Sequence, residues 1–310
     1  MSTVAGTYVS PDHYIRGTRV GGDDTFDVIS PIDQSIIARV ARGTARDAEL
    51  AVAAATDAFP AWAALGPEGR AEHVRRLADL IDEHIDQIAA VECLDMAMLE
   101  RSLKARVIAR GARNFRAYAD LAVAYRERVW DSNTTHNRVI RMPSGPAAVI
   151  TPWNAPFMLS TWKTAPALAA GCTVILKPPE WAPLSCSMLA DLTGEAGFPP
   201  GVFNVLQGIG EEAGAALVSH AGLRRISFTG SPETGTPLPT RAACAAAASS
   251  TSIESTRKPR PAPGAPRGRK LKSMSSTRRL PMRPPHARPA APGAPVSRSK
   301  FSPPICSSNT

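Results

Sequence analysis

The stretch from Pro146 to Glu180, PAAVITPWNAPFMLSTWKTAPALAAGCTVILKPPE, constrains the fold more than any other part of the chain. Ala147 to Ile150 is an apolar run that stops at Thr-Pro-Trp-Asn. A helix follows, with its interior from Phe157 to Ala170, and ends at Gly171, the residue type that takes a left-handed cap without strain. Thr173 to Leu176 is a second apolar run, broken by Lys177-Pro178-Pro179. Two short apolar strands joined by one helix predict a parallel crossover buried on both faces. In open sheets of that kind ligands bind beyond the carboxyl ends of the strands. Trp153-Asn154 and Lys177 with Glu180 fall at two such ends, which makes both pairs candidate site residues.

The rest of the chain reads as support for that unit. Phe26 to Ile29 and Ile36 to Val40 predict a small antiparallel edge. Thr44 with Asp47 is a capping-box variant opening a helix over Ala48 to Phe59, and Pro67 opens the next. There Val74, Leu77, Leu80, Ile81, Ile85 and Ile88 keep one apolar stripe. Glu100 to Arg128 reads as a further helix, weakened at Gly111 by about 1 kcal/mol relative to Ala. Asn137 to Met142 alternates as a strand. A helix over Pro183 to Glu195, a strand over Val202 to Leu206, a short helix over Glu211 to His220 and a strand over Arg225 to Phe228 complete the series. The expected class is α/β: a Rossmann-like doubly wound parallel sheet with N-terminal helices.

Read together, TPWNAP, KTAPALAAG, KPPEWAPLS, GEAGFPPGVFNVLQGIG and FTGSPETG, in this order and spacing, resemble the aldehyde dehydrogenase superfamily over roughly residues 15 to 235. The wording TPWNAPFMLSTWK looks closest to enzymes that oxidise semialdehydes from aromatic-ring breakdown. The resemblance implies NAD(P)-dependent oxidation of an aldehyde to an acid, with NAD as cofactor and NADP as the alternative. It also implies homo-oligomers in intact relatives, with residues 137 to 142 in an oligomerisation strand.

Asn154 is the catalytic candidate. An amide fixed at a strand end can donate to a developing oxyanion, and the resemblance implies that role on a thiohemiacetal oxygen; read without the resemblance, the residue caps the helix beginning near Pro156. Lys177 and Glu180 can hold the two hydroxyls of a ribose, the role implied by the resemblance, or form an ion pair at a turn. A carboxylate on the 2′-hydroxyl favours NAD over NADP. Thr151, Pro152 and Trp153 join them at the cofactor, with Trp153 read mainly as core packing. Gly208, Gly210 and Gly214 make an imperfect dinucleotide fingerprint, the third glycine one residue late. Gly230 and Ser231 are therefore assigned to phosphate at a helix start, Gly210 to adenine, and Gly214 to close packing.

Past Gly235 the family pattern is lost. A Glu in an LELGGK motif and a Cys in a GQxC motif are expected; Glu254 with Lys258 keeps the E-x-x-x-K spacing without the two glycines, Cys244 comes too early and Cys306 too late. Residues 236 to 310 hold 14 of the 36 Lys and Arg and one acid, so a net +9 chain divides into a body of −4 and a tail of +13. With 14 prolines and few large apolar residues, that tail is expected to be disordered, the product of a frameshift in a GC-rich gene. The chain is then an incomplete cofactor-binding domain with no turnover of its own. Two other readings stand beside it, a nucleic-acid-binding arm built on the basic tail and a catalytically dead partner subunit. The tail lacks aromatic interleaving and any RNA-binding motif, which argues against specific nucleic-acid recognition. No long apolar run or signal peptide stands in the sequence, so a cytoplasmic location away from membranes is expected. The five cysteines and six histidines show no metal-ligand spacing, so no metal is expected.

Overall fold

The computed structural model describes residues 2–131 and 136–236. Contacts divide the chain into Met1–Pro259 and Arg260–Thr310, the second of which lies wholly outside the described residues. The predicted disordered tail, Glu254 and Cys244 and Cys306 lie outside them too.

The main sheet has six strands. In chain order these are β1 (His13–Ile15), β2 (Thr18–Val20), β3 (Ala147–Ile150), β4 (Val174–Lys177), β5 (Phe203–Val205) and β6 (Arg225–Phe228). Across the sheet they run β6, β3, β4, β5, β1, β2. The first four are parallel, with Val174 opposite both Ala147 and Phe203, and Arg225 opposite Ala147. The β1–β2 hairpin adds an antiparallel edge through Val205 and Tyr14. The sheet is therefore mixed, parallel where the sequence predicts it and closed by two short N-terminal strands.

Alternate residues of the parallel strands enter two separate cores, as a period of two requires. Val149, Val174, Leu176, Phe203 and Val205 face one cluster, and Ala148, Ile150, Ile175, Ile226 and Phe228 the other. Helices cover both faces: α1 (Ala45–Ala64), α2 (Gly66–Glu83), α3 (Ile85–Met96), α4 (Ala109–Ala124), α5 (Pro156–Ala169) and α6 (Leu184–Glu195). Each fully buried Val, Leu, Ile or Phe contributes about 1.5–3 kcal/mol, and this two-sided burial makes the parallel strands stable.

Several boundaries differ from the sequence reading. The capping box of Thr44 and Asp47 forms as expected, but α1 runs through Pro60 to Ala64. Buried Trp62 explains this, because its indole N–H donates to the Leu168 carbonyl at 3.1 Å and packing holds the last turn against the cost of the proline. The stripe from Val74 to Ile88 belongs to two helices, divided at His84. The predicted helix from Glu100 to Arg128 is a short turn, a π-helical stretch over Leu103–Ile108, and then α4. Gly111 has a packing reason: a Cβ there would stand 2.8 Å from Cε1 of Phe157, so the glycine lets α4 and α5 approach closely. The expected strand at 137 to 142 is His136–Val139, paired antiparallel with Arg128–Asp131.

Candidate functional site

The chain runs from β3 to β4 to β5 on one side of the sheet, then returns to place β6 on the other side of β3. Strand order reverses there, and crevices for ligands open at such switch points beyond the carboxyl ends. A cleft of about 730 Å³ occupies that place. Ile150, Thr151 and Pro152 line it from the end of β3, Lys177 from the end of β4, and Phe228, Thr229 and Gly230 from the end of β6.

Lys177 is the most constrained polar side chain in the cleft. Its side chain is 2% exposed and its Nζ donates to Glu180 Oε2 at 2.8 Å, while Glu180 is 32% exposed. Burial pulls the Lys177 ammonium below its ordinary value, opposed by the Glu180 charge and hydrogen bond. For Glu180 burial pushes the other way, but Lys177 and backbone hydrogen bonds, among them one to Gly210, outweigh it and hold the carboxyl below its usual range. The carboxylate shift is the firmer of the two, since charge and hydrogen bonds act on it together.

The glycines divide differently from the sequence reading. A Cβ on Gly210 would lie 3.7 Å from Glu180 Oε1 and 3.9 Å from Lys177 Nζ, so this residue borders the ion pair. Gly214, expected in close packing, would meet nothing within 4 Å and opens on the cleft. Gly230 folds tightly against the ring of Phe228. Ser231 caps the turn Pro232–Gly235 by accepting from the Thr234 N–H at 3.2 Å.

Trp153 is not core. It stands 52% exposed on the cleft rim, tilted against Trp181 with ring centroids 6.1 Å apart. Trp181, Ile209, Glu233 and Thr234 also line the cleft and were missed in the sequence. Trp181 had a visible signal, a large aromatic in a proline-rich loop directly after Glu180. Asn154 is exposed one residue past Trp153 and is not among the lining residues. It does not cap α5, whose N-cap is Ala155 without a side-chain bond. Its amide has no hydrogen-bond partner among the described residues. Thr151 faces the cleft, and its hydroxyl bonds that of Ser160 at 3.1 Å.

Of the described thiols, Cys93, Cys172 and Cys186, none lines the cleft. Cys186 is fully buried, bonded to Ser160 at 3.2 Å, and burial pushes its thiol far up. Among the described residues no three His, Cys, Asp or Glu converge to hold a metal, and no helix is long and apolar enough to cross a membrane.

The model of the aldehyde dehydrogenase family matches residues 19–254. The chain belongs to that family. The match runs past Gly235 and ends on Glu254, further than the motifs alone carry it. Over 225 residues the chain is 41% identical to the 5-carboxymethyl-2-hydroxymuconate semialdehyde dehydrogenase of Escherichia coli, covering 72% of this chain and 48% of that protein. It is 39% identical over 233 residues to the 2-hydroxymuconic semialdehyde dehydrogenase of Pseudomonas sp. (strain CF600), with the same coverage of 72% and 48%. The structure of betaine aldehyde dehydrogenase from Staphylococcus aureus in complex with NAD+ superposes with a TM-score of 0.76 at 34% identity, over 80% of this chain and 50% of that one. The chain thus spans about half the length of the relatives it matches.

Proposed function

We propose that residues 2–236 form the nucleotide-seating part of an NAD(P)-dependent dehydrogenase acting on an aldehyde or semialdehyde. The observation that carries this reading is buried Lys177 paired with partly exposed Glu180, 2.8 Å apart in a cleft at the switch point of the sheet. An ammonium and a carboxylate held side by side offer a donor and an acceptor to the two hydroxyls of a ribose. Gly210 leaves room beside them for adenine, and Gly230 with Ser231 meets the pyrophosphate. Thr151, Pro152 and Trp153 wall the nicotinamide end. A cleft of about 730 Å³ falls within the range of cofactor sites.

A nicotinamide bound there supplies the hydride acceptor. The chain's own residues supply position and charge. Asn154, with an amide engaged by nothing among the described residues, is the donor for the oxygen that gains charge when a thiolate attacks an aldehyde. The relatives named as semialdehyde dehydrogenases favour a semialdehyde. The exposed hairpin Arg128–Asp131 with His136–Val139, bearing Val129, Trp130 and Val139, favours assembly with a second copy.

No described thiol stands where attack would occur, and residues 236–310 present no GQxC context. We infer that the chain as it stands seats nucleotide without oxidising aldehyde, the residues beyond 254, where the family match ends, departing from the family pattern. Calorimetric titration of the purified chain with NAD tests the first part: saturable binding is expected, weakened about tenfold or more in Lys177→Met, the loss of one charge-assisted contact. A wild-type chain with no affinity for NAD sinks the proposal. Formation of NADH on adding an aldehyde would refute the second part.

A further inference from the structure

A second cavity of about 410 Å³ adjoins the nucleotide cleft. Glu180, Trp181 and Ile209 line both. The smaller cavity is closed on its other side by Phe26, Asp27, Val28 and Ile29 of the strand Thr25–Ile29. Its two acidic lining residues are Asp27 and Glu180, and among the described residues no basic residue lines it. Asp27 stands directly opposite Arg39 across the hairpin and accepts from its Nε at 3.2 Å.

We propose that this cavity is the space into which a 2′-phosphate on the ribose would project, and that Asp27 acts with Glu180 to keep it out, selecting NAD over NADP. The inference rests on the reading that Glu180 meets the ribose 2′-hydroxyl. Glu180, Trp181 and Ile209 form the wall common to the two spaces, so a group on an oxygen held by Glu180 lies at the entrance to the smaller one. Beyond it a dianion meets a second acidic residue, and the described cations that pair with these two acids are engaged, Lys177 by Glu180 and Arg39 by Asp27. Asp27 is 43% exposed, so solvent screens it and its effect is a few-fold one. Removing the carboxylate acts twice in the same direction. It relieves repulsion, and it frees a guanidinium suited to phosphate.

Titration of the full chain with NAD and with NADP gives the ratio of the two dissociation constants. Asp27→Asn is expected to lower Kd(NADP)/Kd(NAD) about fivefold, the scale of one half-screened charge contact. Adding Arg39→Gln to that variant should reverse most of the change. Asp33→Asn, at the tip of the same hairpin and outside the cavity, should leave the ratio where it was. Asp27→Ser serves if Asp27→Asn does not fold. A ratio unmoved in the folded Asp27 variants while NAD still binds overturns this inference alone. A wild-type chain that binds neither nucleotide overturns it together with the reading of the site.

Discussion

Lys177 and Glu180 sit on either side of a Pro-Pro turn, and that turn brings Nζ to 2.8 Å from Oε2 while the lysine keeps only 2% of its side chain exposed. A lysine so deeply buried is tolerable because one carboxylate answers it. Glu180→Gln leaves the ammonium buried beside a neutral amide and is expected to destabilise the fold by about 2 kcal/mol, less than a fully buried pair because Glu180 is partly solvated. Lys177→Met removes the buried charge altogether and should cost less stability while losing nucleotide affinity. Urea midpoints read beside NAD titrations check this. Equal stability losses in both variants would mean that the pair is not what stabilises the turn.

Glu92 and Asp95 lie three residues apart on α3, both buried. Asp95 accepts from the Leu184 N–H at 2.8 Å and so caps α6, which has no cap of its own. Neither Glu92 oxygen has a partner of good geometry, and Ser185 and the Phe157 backbone only partly offset its burial. Burial pushes the Glu92 carboxyl up to about 7 and Asp95 well above its usual range, with Glu92 adding to the latter shift. A raised value in the folded state means that the fold keeps a proton the unfolded chain releases. Stability is then greatest below the unfolded value of 4.5, falls as pH rises toward about 7, and levels off above it. For Glu92 alone the fall amounts to about 3 kcal/mol. Glu92→Gln should flatten that slope in urea unfolding across this range; an unchanged slope would show that the proton is held elsewhere.

Alanine at position 111 should reverse the usual rule. In an exposed helix Gly→Ala stabilises by about 1 kcal/mol. Here the added Cβ would stand 2.8 Å from Cε1 of Phe157 and 3.2 Å from Cγ2 of Thr161, in a contact that both helices must widen to relieve. A net loss of about 1–2 kcal/mol is expected. Phe157→Leu should recover part of it in the double variant. A more stable Gly111→Ala protein would show that the two helices separate freely.

Legibility in the sequence followed burial. β3 and β6 match their predicted bounds, and β4 is displaced by one residue, because strands buried on both faces are marked by unbroken apolar runs. The pairing of Val205 with Tyr14 joins segments far apart in the chain, and three-residue strands carry no local pattern to announce it. The break at His84 was invisible for a related reason, since α2 and α3 continue one apolar stripe across it. Lys177, Glu180, Gly210, Gly230 and Ser231 all stand after strands in the sequence, and the fold gathers the five around one cleft. Trp153 was misread because an aromatic residue beside a core strand is more often inside; the turn that ends β3 carries it outward to meet Trp181. Trp181 itself belongs to a loop, where periodicity gives no direction to a side chain.

The remaining prediction concerns the thiols. Attack on an aldehyde needs a thiolate with access to the cleft. Cys186 has neither: it is buried, hydrogen-bonded to Ser160, and close to the acids Glu92 and Asp95, which together with burial disfavour its anion. Cys172 is buried beside Ser144 at 3.4 Å. Cys93 is partly exposed and has the least barrier to solvent of the three. Brief maleimide labelling of the native protein, followed by peptide mass spectrometry, should therefore mark Cys93 well ahead of Cys172 and Cys186, with all three equal in urea. Saturating NAD should not alter the order, since none of the three lines the cleft. Rapid native labelling of Cys186, or its protection by NAD, would place a reactive sulfur at the nucleotide after all and return the chemical step to this chain.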